Sequence, residues 1–104
     1  MTSQGHPRTV FRRALERGNL MLAEVTAREV GHVDLREALE LTALMARADR
    51  ERGRRAAVRW VQRWLDEAPS VTLDSAAMVV GCLAELGGER HEAALGALRA
   101  SFTP

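Results

Sequence analysis

Apolar residues recur at the spacing of an α-helix in six separate segments of the sequence, and this periodicity constrains the fold most. The clearest segment has apolar residues at i, i+3, i+4, i+7, i+8 and i+11, which are Ala57, Trp60, Val61, Trp64, Leu65 and Ala68. No segment alternates apolar and polar residues with the period of two that a half-buried strand requires. The sequence therefore predicts an all-α fold.

Glycine, proline and helix-capping residues separate the six segments. The predicted helices cover residues 8–17, 20–30, 34–48, 54–67, 72–86 and 89–100. Pro7 suits the first position of a helix, and Asp34 and Thr72 suit N-caps, with Glu37 completing a capping box for Asp34. We expect residues 49–53 to form the bend before the fourth helix.

The pair Gly18-Asn19 divides the first two segments. Two short helices are favoured, because glycine is unfavourable inside a helix, but one long helix kinked at Gly18 fits the same pattern. The third and fifth segments are apolar on nearly all sides, which is typical of helices buried between neighbours. We therefore expect both to be central and Cys82, in the fifth, to be a buried thiol.

Short links between consecutive helices predict three antiparallel helical hairpins. A shift of 38 residues aligns the second hairpin with the third, so that Val33, Leu35, Ala38, Ala46, Glu51, Arg52 and Ala56 meet Val71, Leu73, Ala76, Ala84, Glu89, Arg90 and Ala94. This pattern resembles the architecture of tetratricopeptide and HEAT repeats, although the tetratricopeptide signature itself is absent. The resemblance implies a solenoid-like stack, and a compact helical bundle explains the sequence almost as well.

The predicted organisation is a flexible tail, residues 1–7, followed by one domain, residues 8–104. The tail lacks the apolar stretch of a signal peptide, and no segment reaches the roughly 18 apolar residues of a membrane span. The single cysteine cannot form an internal disulfide, which fits a reducing compartment. These features predict a cytoplasmic protein without membrane contact.

No motif in the sequence carries a recognisable catalytic chemistry. The three histidines, His6, His32 and His91, are far apart and lack metal-ligand spacing, so we expect them at the surface. The glycine-rich phosphate-binding motifs of nucleotide-binding proteins are also absent. The sequence therefore predicts no enzyme, no cofactor and no metal site.

A cluster of arginines is the one candidate binding feature. Residues 47–63 hold seven arginines against two acidic residues, and the whole chain contains no lysine. Steps of three, four and four residues predict that four of them line one face of the fourth helix, opposite Trp60 and Trp64. These partner-binding candidates are Arg52, Arg55, Arg59 and Arg63.

Two functions are compatible with these features. The favoured hypothesis is a non-enzymatic helical interaction or scaffold module that binds a protein or peptide partner or self-associates, because tandem helical hairpins commonly present binding surfaces. The alternative is a nucleic-acid-associated accessory protein whose helix-four arginines contact the phosphate backbone. A formal net charge of only +1 gives little long-range attraction to nucleic acid.

Overall fold

The computed structural model describes residues 6–102, and these form six α-helices without a strand. The helices are α1 (Pro7–Arg17), α2 (Leu20–Val30), α3 (Leu35–Ala48), α4 (Arg50–Glu67), α5 (Leu73–Glu85) and α6 (His91–Ala100). The all-α prediction is therefore confirmed. Residues 1–5 of the predicted tail lie outside the described residues, whereas Pro7 begins α1 as its fixed φ favours.

Local hydrogen bonds explain where several helices begin. The Asp34 carboxylate accepts the Glu37 backbone N–H at 2.8 Å, and the Glu37 carboxylate accepts the Asp34 N–H at 3.0 Å. This reciprocal pair is the predicted capping box, and Thr72 and Ser75 form a second one at the start of α5. Gly18 ends α1 in the left-handed region at φ 70°, so the first segment is two helices rather than one kinked helix.

The predicted bend at residues 49–53 is wrong, because a single residue joins α3 to α4. Asp49 is the C-cap of α3 and the N-cap of α4, and its carboxylate accepts the backbone N–H groups of Glu51 and Arg52. Gly53 is therefore inside α4, where a Cβ atom would lie 2.4 Å from the Ala46 Cα. Glycine here permits close helix packing and does not serve a turn.

The antiparallel pair of α3 and α4 lies between the two other hairpins. Phe11, Ala14 and Ala23 of the α1–α2 hairpin form one buried cluster, with Leu41 of α3 packed against it. A larger cluster joins α3 and α4 to α5 and α6, and the whole molecule measures 49 × 30 × 22 Å. The central position expected of α3 is thus confirmed, while the internal repeat and a solenoid-like stack stay predictions.

The expectation that α5 is central is wrong. Only one side of α5 is buried, through Val79 and Leu83, and the opposite side is open to solvent. The apolar run that suggested full burial therefore includes an uncovered face. Cys82 is accordingly half-buried rather than buried.

Trp60 and Trp64 belong to the core, as their helical spacing predicts. Their rings stack with centroids 6.4 Å apart, and the Trp60 indole N–H donates to the Leu35 carbonyl at 2.8 Å. Phe102 packs edge-on against Trp60 at 6.2 Å and so covers this end of the core. Leu65, which the same spacing placed on the buried stripe, is 51% exposed instead.

Substitution of Gly53 tests the close contact between α3 and α4. Gly53→Ala would force a methyl group into the backbone of Ala46, and we expect it to reduce the free energy of unfolding by about 3 kcal/mol. Gly96→Ala is the matched control, since a Cβ there meets nothing within 4 Å and should stabilise α6 by about 0.5 kcal/mol. Urea denaturation of both variants measures the difference, and equal stabilities would contradict the account.

Candidate interaction surfaces

Three of the four candidate arginines on α4 are held in ion pairs. Arg52 pairs with Glu24 of α2, Arg55 with Glu51 at 3.6 Å, and Arg63 with Glu67 at 2.6 Å. Arg59 is exposed and forms no ion pair with any residue in the described range 6–102. The arginine row therefore helps to hold the fold together as well as facing solvent.

The row of candidate arginines on α4 lies beside the side of the helix that carries Trp60 and Trp64. The predicted position opposite the tryptophans is therefore wrong. Arg59 and Arg63 line a groove of about 210 Å³ between α3 and α4, together with Trp60. One guanidinium nitrogen of Arg63, Nη2, is buried in this region and has no acceptor among the described residues. Trp60 is only 2% exposed, so its ring offers no stacking platform to a nucleic-acid base.

The uncovered side of α5 carries a row of apolar residues. Leu73, Ala77, Val80 and Ala84 follow at helical spacing and are all exposed, Leu73 by 87% and Val80 by 52%. Asp74 and Glu85, near the two ends of α5, are its only charged residues. No charged residue interrupts this row over its three helical turns.

Apolar residues of α4 extend this surface. Ala57 and Val61 of α4 and Ala76 of α5 pack against the core, and the exposed Val58 and Leu65 lie next to them on the outer side of α4. We define the α4–α5 face as the exposed apolar residues on this side of the two helices, which are Val58, Leu65, Leu73, Ala77, Val80 and Ala84.

A contact between the helix ends determines the relative direction of α4 and α5. The Arg50 guanidinium donates to the Ala84 carbonyl at 3.3 Å, so the start of α4 lies beside the end of α5. At the opposite end, the short link at residues 68–72 joins the two helices. They are therefore antiparallel, with Leu65 and Leu73 near the linked end.

Charge is distributed unevenly along α4 and α5. The first turns of α4 carry Arg50, Arg52, Arg54 and Arg55 together with Glu51, whereas residues 64–89 contain no basic residue. The acidic residues in that range are Asp66, Glu67, Asp74, Glu85 and Glu89. Basic residues therefore lie at the start of α4, and acidic residues lie at the end of α4 and at both ends of α5.

A buried carboxylate ties α1 to α3 on the other side of the molecule. Glu37 is 6% exposed and binds the guanidinium groups of Arg8 and Arg12, the latter at 2.8 Å. Burial alone would raise the pKa of Glu37, but the hydrogen bonds from Arg8, Arg12 and the Asp34 N–H outweigh it and lower this pKa to about 2. The cluster is structural, since each carboxylate oxygen already has its partners.

A groove of about 490 Å³ runs over α3 between α1 and α6. Its charged groups are largely paired with each other, Glu40 with Arg99 at 2.7 Å and Arg47 with Glu92 at 2.6 Å. His91 is one of the residues that line this groove, and it is only 5% exposed. The expectation of a surface histidine is therefore wrong for this residue. His6 and His32 are exposed as expected.

His91 has a structural role at the turn between α5 and α6. Its Nδ1 accepts the Gly87 backbone N–H at 2.8 Å, which requires the neutral imidazole. Burial lowers the pKa of His91, and the nearby positive charge of Arg47 adds to this effect. Within residues 6–102, no three histidine, cysteine or acidic side chains are grouped so as to hold a metal ion.

The sequence has no match among models of protein families or among curated proteins, and the fold has no match among solved structures. Among the helices described, none has the length and apolarity to cross a membrane.

The Glu37 cluster predicts a stability that depends on pH. Because the folded pKa of about 2 lies below the unfolded value of 4.5, this contribution is complete above pH 4.5 and is lost as the pH falls toward 2. Glu37→Gln should therefore reduce the free energy of unfolding by about 2 kcal/mol at neutral pH and much less near pH 2. Denaturant titrations at both pH values measure this, and an equal loss at both would contradict it.

The His91 environment predicts a second, separate pH effect. Because folding lowers the pKa of His91 from its ordinary 6.5, the neutral form stabilises the fold above that pH, and this contribution is lost as the pH falls through the lower folded value. NMR titration of the imidazole should give a pKa below 6.5, with the amide shift of Gly87 following the same curve. An ordinary pKa, or a Gly87 amide that does not respond, would contradict the assignment.

Proposed function

We propose that this protein is a non-enzymatic helical interaction module and that its α4–α5 face binds the surface of another protein molecule. The observation that carries the proposal is the uncovered row of apolar residues on α5, from Leu73 to Ala84. Leaving such a row in water is unfavourable, whereas covering it with a partner removes apolar surface from water. Contiguous apolar surfaces of this kind are typical of protein–protein contacts.

The outer sides of other helices are more polar, which supports a specific role for α5. On α1 the exposed residues include Arg12, Arg13, Glu16 and Arg17. Met21, Leu22 and Val25 of α2 are also exposed, but Arg28 and Glu29 follow them on the same side of that helix. Single exposed apolar side chains are ordinary on protein surfaces, and a charge-free row across three helical turns is not.

Binding of nucleic acid has less support. Phosphate recognition uses guanidinium groups that remain accessible, and Arg52, Arg55 and Arg63 are each engaged by a carboxylate of this chain. Among these four candidates, only Arg59 is exposed without an ion pair to a described residue, and Arg54 on the same helix is a further exposed arginine without one. Two such arginines, on a chain of net charge +1, supply a weak electrostatic contact.

Site-specific photo-crosslinking in the native cell tests the proposal. A photoreactive amino acid replaces Ala77, at the centre of the α5 row, and in a matched control it replaces Ala93 on the outer side of α6. We expect a discrete protein adduct from position 77 that is absent at position 93. Mass spectrometry then identifies the adduct, including a second copy of this chain.

The crosslinking result is decisive in either direction. Adducts that Leu73→Asp removes, while the variant keeps its helical circular dichroism, would support binding at the α4–α5 face, because an exposed charge there opposes burial. No adduct at position 77, or the same adducts at both positions, would overturn the proposal. The position of Leu73 at the first turn of α5 makes its substitution mild for folding.

A further inference from the structure

We infer that the groove between α3 and α4 binds a short acidic segment of another protein. An apolar side chain of that segment would enter the groove, and its carboxylates would bind Arg59 and Arg63, which line it. With 3.6 residues per turn, these two arginines leave α4 on a different side from Val58 and Leu65 of the α4–α5 face. The inference is therefore independent of the proposed function.

The α3 side of the groove is apolar. Ala38, Leu41 and Met45 line it at helical spacing along α3, and Val33 lines it just before that helix begins. All four residues are half-buried, so a partner that covers them removes further apolar surface from water. The groove measures about 210 Å³, which is below the roughly 300–1,000 Å³ of most small-molecule sites, and so it fits one or two side chains of a larger molecule.

The charge of this groove is basic. Arg59 and Arg63 lie one helical turn apart on α4, and no described aspartate or glutamate lines the groove with them. The larger groove between α1 and α6 differs, because Glu16, Glu40 and Glu92 line it together with arginines. A ligand that complements the smaller groove therefore carries negative charge as well as an apolar group.

The hydrogen bonds of Arg63 are incomplete. Its Nε donates to the Glu67 carboxylate at 2.6 Å, whereas Nη2 is enclosed and has no acceptor among the described residues. A buried donor without an acceptor is unfavourable, and such groups usually have a partner in a native protein. A carboxylate in the groove would supply the missing acceptor, because the Arg63 side chain is 28% exposed and can turn toward it.

Arg59 supplies the second guanidinium group. It is exposed and forms no ion pair within residues 6–102, so a carboxylate would not have to displace an existing partner. Guanidinium groups bind carboxylates through short, charge-assisted hydrogen bonds. A nucleic acid would gain only phosphate contacts here, because the Trp60 ring is 2% exposed and does not offer a surface for stacking. The apolar side and the two arginines together favour an acidic protein segment.

NMR titration of the folded, isotope-labelled protein with capped model peptides tests the inference. The probe is the peptide LLEELLEELL, in which glutamates recur one helical turn apart beside leucines. We expect the amides of Leu41, Met45, Arg59 and Arg63 to shift, with a dissociation constant on the order of 0.1 mM. The peptide SSEESSEESS keeps the charges without the leucines, and LLKKLLKKLL reverses the charges. Each should bind about tenfold more weakly.

Variants of the two arginines test which charges the peptide uses. Arg59→Gln and Arg63→Gln should each weaken the binding of LLEELLEELL about tenfold, because each removes charge-assisted hydrogen bonds to a carboxylate. Arg54→Gln is the matched control and should leave the affinity unchanged. It removes one positive charge from an exposed residue of α4 that does not line the groove. Unchanged helical circular dichroism shows that the variants are folded.

The outcomes separate this site from other sources of the same shifts. No shifts at all, or shifts confined to Leu73 and Val80, would overturn the inference, because those residues belong to the α4–α5 face. An equal loss of affinity in Arg54→Gln would reduce the effect to general charge. Equal shifts from sodium propionate would mean that any small anion binds, and tighter binding of oligothymidylate would assign the arginines to nucleic acid.

Discussion

The close approach of α4 to α3 at Gly53 and Ala46 is the contact on which the rest of the structure depends. The absence of a side chain at Gly53 lets the two backbones meet immediately after a one-residue link. Gly87, at the turn between α5 and α6, packs against the Ala46 carbonyl, and its φ of 85° strongly favours glycine. Two helical connections, the α3–α4 link and the α5–α6 turn, therefore meet at one alanine, and the tryptophan pair fills the opposite end of the α3–α4 pair.

Ion pairs attach the outer hairpins to this central pair, and their placement explains which surface is left apolar. Glu37 holds α1, Glu24 links α2 to α4, and Glu40 and Arg47 of α3 pair with residues of α6. None of the ion pairs formed by the described residues includes a residue of α5. Apolar contact is thus the main attachment of α5, and its outer side is apolar as well.

Periodicity and capping chemistry were enough to predict the helices, because both depend on residues close together in the sequence. The capping box of Asp34 and Glu37 and the helix break at Gly18 are examples. Gly53 was assigned to a bend because a glycine in a turn and a glycine at a helix crossing look alike without the neighbouring helix. His91 was placed at the surface for a similar reason, since its burial depends on the turn at Gly87.

The candidate site was predicted less well, and the reason is physical. Spacing on α4 predicted that its arginines share one face, but their partners Glu24, Glu51 and Glu67 decide how much charge they present. Glu24 of α2 pairs with Arg52 of α4, a contact between two helices that spacing within one helix cannot show. The apolar run of α5 suggested burial on all sides, because a sequence cannot distinguish a face covered within the chain from one left for a partner.

Two-dimensional NMR spectra of the labelled protein, recorded with and without native cell extract, test the central claim most directly, because each backbone amide reports on its own surroundings. If another protein molecule covers the α4–α5 face, the amides of Val58, Leu65, Leu73 and Val80 shift or broaden together in the extract while those of α1 stay constant. Spectra that the extract does not change, or changes confined to Met21 and Val25 of α2, would contradict the account.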